Sequence, residues 1–145
     1  MMKFFPIILL LFLLVSTSCK SKSDSGANAL LEQYFDANVI NRNFIVSLAV
    51  DKGTDLTADY SGYVFVLLKT DYYHGPLKAT KGGTTYMGDW SSNDDYSKLI
   101  ITLPSPPSEF GFLTRSWRFT SKKFPTLELA PWGSTEELVL HMYRQ

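Results

Sequence analysis

The sequence predicts one mainly β domain, an antiparallel barrel or sandwich, preceded by a single short helix. Short apolar runs recur at intervals of about 8 to 15 residues, the spacing of strands in such folds. Turn-forming residues separate these runs, and none of the gaps holds the helical crossover that parallel strands need. A chain of 145 residues has room for one such domain.

One segment, residues 28–36, has a helical pattern. Asn28 can cap its start, and Leu30, Leu31, Tyr34 and Phe35 form an amphipathic stripe. We expect about two turns of helix, packed on the barrel or across one of its ends.

The first two predicted strands differ in their apolar pattern. Residues 43–50 alternate, which predicts one shared face for Phe44, Val46, Leu48 and Val50. Residues 62–69 are apolar on both faces, a pattern typical of a strand that is covered on both sides.

The remaining strands are predicted over residues 76–80, 84–90, 98–103, 115–120, 126–129 and 137–143. Lys81-Gly82-Gly83 indicates a hairpin, because glycine readily adopts positive φ. Phe65 and Trp117 lie in mid-strand among apolar neighbours, so we expect both in the core.

The N-terminus has the features of an export signal. Lys3 precedes an apolar run over residues 4–15, which is shorter than the roughly 20 residues that a membrane-spanning helix needs. Ser16, Thr17 and Ser18 then lead into Cys19, the single cysteine of the chain.

This small-residue approach to Cys19 resembles the lipobox of bacterial lipoproteins, with Ser16 in place of the usual leucine, as in looser lipoboxes of Bacteroidota. The resemblance implies a lipoprotein signal peptide over residues 1–18 and acylation of Cys19. Residues 19–27 would then be a lipid anchor and flexible tether, and residues 28–145 the domain. The expected location is the cell envelope, at the outer membrane of a Gram-negative bacterium. The alternative is a secreted protein in which Cys19 is a free thiol.

Four segments of the mature chain resemble the small lipocalin-like lipoproteins of Bacteroidota. They are residues 44–57, Tyr60-Ser-Gly-Tyr-Val-Phe65, Gly88-Asp-Trp-Ser91 and Leu113-Thr-Arg-Ser-Trp-Arg118. The resemblance implies an up-and-down barrel of about eight strands, in a family whose function is usually unassigned.

The residue pattern indicates no enzyme. His74 and His141 are far apart and have no metal-ligand spacing with other residues, and Asp94-Asp95 lies in a turn signal. We therefore expect no catalytic residues, metal or cofactor. The net charge of +0 gives no basic footprint for nucleic acid.

Large aromatic rings in predicted connections are the candidate binding residues. Tyr72, Tyr73 and Trp132 could surround the mouth of a barrel that binds a small apolar or amphipathic ligand, or they could fold back as plugs. The alternative function is a protein-interaction or inhibitor module that engages an envelope protein. A ligand carrier needs a hollow barrel, whereas an interaction module can have a filled one.

Overall fold

The computed structural model describes residues 23–145 and contains a closed antiparallel barrel of eight strands, one extra short strand and an N-terminal helix. This confirms the predicted fold class. The signal peptide predicted for residues 1–18 and the lipidation site predicted at Cys19 lie outside the described residues.

The elements follow the predicted order closely. They are α1 (Ser23–Asn38), β1 (Asn43–Asp51), β2 (Thr54–Asp55), β3 (Val64–Leu67), β4 (His74–Lys81), β5 (Thr84–Ser92), β6 (Lys98–Thr102), α2 (Phe110–Leu113), β7 (Arg115–Ser121), β8 (Thr126–Pro131) and β9 (Leu138–Arg144). A 3-10 turn at Thr57–Tyr60 lies between β2 and β3. From β3 onward each barrel strand pairs with the next, and β9 closes the barrel on β1.

The up-and-down order gives the barrel two different ends. At the α1 end, β1 begins and the β3–β4, β5–β6 and β7–β8 connections turn back. At the α2 end lie β2, the 3-10 turn, the β4–β5 hairpin, and the β6–β7 connection that contains α2. The hairpin turns at Gly82 and Gly83, whose φ values are +56° and +82°, as the sequence predicted.

The prediction that Phe44, Val46, Leu48 and Val50 share one face is wrong in its second half. The register between β1 and β9 shifts between Val46 and Leu48, which is a β-bulge. The extra residue reverses the alternation, so Ala49 is fully buried while Leu48 and Val50 are only half-buried. Neither residue type nor spacing signals this bulge.

The barrel interior is filled by its own side chains. Trp117 is 0% exposed and Phe65 is 1% exposed, which confirms both predicted core residues. The two buried indoles satisfy their N–H groups on backbone carbonyls: Trp90 donates to Leu68 at 2.6 Å and Trp117 to Leu113 at 3.0 Å. An eight-stranded barrel is just wide enough for side chains of this kind to fill it.

Two glycines allow the wall to pass close to neighbouring backbone. A Cβ at Gly75 would lie 2.0 Å from the Leu68 carbonyl oxygen, and one at Gly88 would lie 2.1 Å from the Thr102 carbonyl oxygen. Gly75 also stands directly opposite Trp90 in the β4–β5 ladder. The absence of a side chain at Gly75 therefore gives Leu68 the space to reach the Trp90 indole.

Both ends of the barrel are closed. At the α1 end, the Phe35 ring stacks on Tyr96 with centroids 4.5 Å apart and contacts Trp90 at 5.7 Å. At the α2 end, Phe110 packs against Tyr63 at 5.2 Å. Helix α1 begins at Ser23, so the second half of the stretch predicted as a flexible tether is helical.

Candidate functional site

The structure places Tyr72 and Tyr73 in the β3–β4 connection at the α1 end. Tyr73 is half-buried: its ring lies 5.5 Å from Tyr96, and its hydroxyl donates a hydrogen bond to the Glu32 carboxylate of α1. That hydrogen bond, together with burial, raises the pKa of Tyr73 to about 12. Tyr73 thus helps to hold α1 against the barrel. The neighbouring Tyr72 is exposed, and Lys69 Nζ lies 4.2 Å from its ring centre.

Trp132 directly follows β8, at the end of that strand that points toward the α2 end of the barrel. Its backbone N–H donates to the Ser116 carbonyl at 3.0 Å, and Lys98 Nζ lies 5.3 Å from its ring centre. The ring is 40% exposed. The structure therefore does not bring Trp132 together with Tyr72 and Tyr73, so these three rings do not share one pocket mouth.

A different feature interrupts the barrel wall between β1 and β3. Their ladder consists of two residue pairs, Asn43 with Val66 and Phe44 with Phe65. Further along, the same edge of β1 pairs with β2 at Val50 and Asp51. Between these two contacts the chain runs through the 3-10 turn and Gly62, whose φ is +82°, and the β1–β3 ladder does not continue.

The space left between these strands, which we call the β1–β3 groove, has a volume of about 480 Å³. Apolar groups dominate its lining: Ile45, Val46, Ala58, Val64 and the rings of Tyr60 and Tyr63. Thr57, Ser61 and Gln145 add a few polar groups. The lining includes both inward-facing residues, such as Val46, and outward-facing residues, such as Val64. The groove is therefore a gap in the barrel wall and not a depression on its outer surface.

Two tyrosines anchor the groove to the β6–β7 connection. The Tyr60 hydroxyl donates to the Glu109 carbonyl at 2.6 Å, and the Tyr63 hydroxyl donates to the Glu109 carboxylate at 2.9 Å. Burial, and then the hydrogen bond to Glu109, raises the pKa of Tyr63 to about 12. Burial also raises the pKa of Tyr60, so both hydroxyls stay protonated at neutral pH and act as fixed donors.

A polar depression of about 440 Å³ adjoins this anchor and is lined by Asp59, Ser108 and Glu109. Sequence reasoning missed the groove and this depression. The sequence does contain one relevant pattern, Tyr60-Ser-Gly-Tyr, in which the turn-forming residues serine and glycine come just before an apolar strand. That pattern indicates a bent entry into β3, but nothing in it says that β1 would remain uncovered.

The two histidines lie on the outer surface. His74 Nδ1 is 2.8 Å from the Asp71 carboxylate, beside a shallow depression of about 290 Å³ that Asp89 and Trp90 also line. Backbone N–H groups of Tyr73 and His74 lower the pKa of Asp71. His141 alternates with the buried Leu140 and Met142 and is half-buried on the outside of β9. Within residues 23–145, no three potential metal ligands cluster.

Among the helices described in residues 23–145, none combines the length and the apolar character needed to cross a bilayer.

Comparison with known proteins gives one structural similarity. The chain matches no protein-family model, and no curated protein is similar to it. Among solved structures, it is similar to a protein from Burkholderia xenovorans determined by NMR, at 16% sequence identity and a TM-score of 0.47. The match covers 77% of this chain and 87% of that one. A similarity of this size carries no argument about function.

Proposed function

We propose that this protein is a non-enzymatic, lipid-anchored lipoprotein of the cell envelope that binds a small amphipathic molecule in the β1–β3 groove. The observation that carries the proposal is the early end of the β1–β3 ladder, which leaves an apolar groove in an otherwise closed barrel. The proposal of a lipid anchor rests on the apolar run over residues 4–15 and the small residues that precede Cys19.

The dimensions and lining of the groove support a small ligand. Sites for small molecules are concave, mostly apolar and roughly 300 to 1,000 Å³ in volume, with a few polar groups that fix orientation. The groove meets this description at about 480 Å³. Ile45, Val46 and Val64 suit an alkyl or aromatic portion, and Thr57, Ser61 and Gln145 suit a polar head.

Because the barrel interior is filled, we expect a ligand to bind at the barrel wall and not at the barrel mouth. Phe35 closes one end and Phe110 the other, and the space between them is occupied by large side chains. A molecule held by this fold therefore has to approach from the side, where β1 and β3 separate.

Blocking the groove tests this assignment. The chain from Ser23 to Gln145 contains every core side chain named above, so we expect it to fold without the N-terminal residues. An amphipathic fluorescent probe should bind it, and Ala58→Trp, at an exposed position lining the groove, should weaken binding at least about tenfold, or ~1.4 kcal/mol. Met87→Trp, on the outer wall of β5, is the matched control. Equal binding by wild type and Ala58→Trp would contradict the groove assignment.

The anchor is tested on the full chain. Intact-mass measurement of the membrane-extracted protein should show an N-terminal Cys19 carrying acyl chains, and Cys19→Ala should remain unprocessed. An unmodified Cys19 in the wild type would refute the lipoprotein assignment, without bearing on the groove.

One observation favours a second function, a protein-interaction module. A filled barrel acts through its outer surface, and the exposed Trp132 is a residue type that is enriched at interfaces. In that case, Trp132→Ala would abolish cross-linking to an envelope protein, while Ala58→Trp would leave it unchanged.

A further inference from the structure

Helix α1 turns its charged side chains toward the barrel. Between Gly26 and Asn38 its charged residues are Glu32 and Asp36. Glu32 accepts the hydrogen bond from Tyr73, and Asp36 pairs with Lys69 at 2.5 Å. Both acidic residues therefore serve to fix the helix on the β3–β4 connection.

The outward face of α1 carries no charge over the same described stretch. Ala29, Leu30, Gln33, Tyr34 and Ala37 are exposed there, and Leu30 is 69% exposed. A helix that faces water on one side normally has the opposite arrangement, with its charged residues outward. The inward face of α1 is apolar at Phe35, as usual, but the exposed face lacks the charges that water favours, which suits contact with something other than water.

The short connection to Cys19 identifies that neighbour. Three residues separate Cys19 from Ser23, where α1 begins, and the four residue steps from Cys19 to Ser23 span at most about 14 Å when fully extended. An acylated Cys19, which is part of the function proposed above, would hold the start of α1 at the headgroup layer. The start of the helix therefore stays within about 14 Å of the anchor.

We propose that the outward face of α1 lies on the bilayer that holds the anchor, so that the barrel stands with its α1 end on the membrane. Leu30 then enters the boundary between headgroups and acyl chains, and Tyr34 occupies the polar–apolar interface that tyrosine favours. The Tyr34 hydroxyl donates to the Lys122 carbonyl at 2.8 Å, which fixes the ring beside the β7–β8 connection.

This orientation directs the α2 end into the aqueous phase. The polar depression next to Glu109 lies at that end, and so do the groove residues that come from the 3-10 turn. That part of the proposed binding groove would thus face away from the anchor membrane.

A single-thiol experiment tests the membrane contact. Acylation consumes the sulfur of Cys19, so Leu30→Cys in the full lipidated chain introduces the one free thiol. Met87→Cys, at a position 51% exposed on the outer wall of β5, provides the matched control. Each variant is labelled with an environment-sensitive fluorophore and reconstituted in vesicles that contain phosphatidylglycerol, and quenching by nitroxide-labelled lipid is compared with quenching by aqueous iodide.

We expect lipid nitroxides to quench the label at position 30 several-fold more strongly than the label at position 87, and iodide to show the reverse order. Equal iodide quenching at both positions, with Cys19 acylated, would refute the membrane contact alone. If both quenchers miss the label at position 30, and the unlabelled Leu30→Cys variant forms a disulfide with its counterpart on oxidation, the membrane contact is refuted in favour of a second copy of the chain. A free thiol at Cys19 in the wild-type protein would refute both the lipid anchor and the proposed orientation.

Discussion

Phe35 is the side chain through which α1 closes the barrel, and Phe35→Ala should therefore cost much of the stability of the domain. The ring is 2% exposed and contacts three aromatic partners: Tyr96 at 4.5 Å, Trp90 at 5.7 Å and Phe119 at 6.3 Å. Truncation removes the buried ring and leaves a cavity that rigid neighbours cannot fill. Comparable Phe→Ala changes cost about 3–5 kcal/mol.

Such a loss is large beside the total stability of a small domain, which is about 5–15 kcal/mol. Urea unfolding followed by tryptophan fluorescence measures it directly, because Trp90 adjoins the deleted ring. Leu30→Ala on the same helix is the matched control, and its cost should stay below about 0.5 kcal/mol because the residue faces outward. A loss below about 1 kcal/mol for Phe35→Ala would show that α1 does not close the barrel.

Three further perturbations test the wall, the core and the groove. Trp117→Ala should cost about 3–5 kcal/mol in urea unfolding, since the indole is fully buried; a cost under about 1 kcal/mol would place it outside the core. Gly88→Ala should destabilise by at least about 1–3 kcal/mol, because its Cβ would meet the Thr102 carbonyl oxygen, while Gly111→Ala, with open space around it, should be nearly neutral. Stability should fall between about pH 10 and pH 12, because the folded state keeps the protons of Tyr63 and Tyr73, each with a pKa of about 12, that the unfolded chain releases near pH 10. Tyr63→Phe should make that fall less steep, and an unchanged slope would show that Tyr63 does not titrate differently on folding.

The strand positions could be predicted because local sequence and final structure agree over most of the barrel. In β9, for example, alternation places Leu140 and Met142 inward and His141 outward, as the structure has them. The prediction failed in β1, where one extra residue reverses the inward–outward alternation of the side chains. The bulge between Val46 and Leu48 follows from how β1 meets β9, a long-range pairing that the local pattern does not contain.

The candidate site was harder to predict for a related reason. The size and apolar character of Tyr72, Tyr73 and Trp132 are visible in the sequence, but their positions at opposite ends of the barrel follow from strand direction. The lining of the β1–β3 groove consists of ordinary strand residues such as Ile45 and Val64. Their role at the groove arises from two strands failing to pair, which no single residue encodes.

The unpaired stretch of β1 is costly enough to require an explanation. Each net backbone hydrogen bond is worth about 0.5–1.5 kcal/mol, so a ladder continued beyond Phe44 and Phe65 would add several kcal/mol. The chain instead satisfies part of this edge with loop groups: the Ala49 N–H donates to the Thr57 hydroxyl at 3.0 Å, and the Ala49 carbonyl accepts from Leu56 at 2.8 Å. These bonds tie the start of the 3-10 turn to β1 at Ala49, so β3 does not take that place beside β1. Proteins are expected to sacrifice stabilising interactions mainly at functional sites. The early end of the β1–β3 ladder is such a sacrifice, and it lies at the groove.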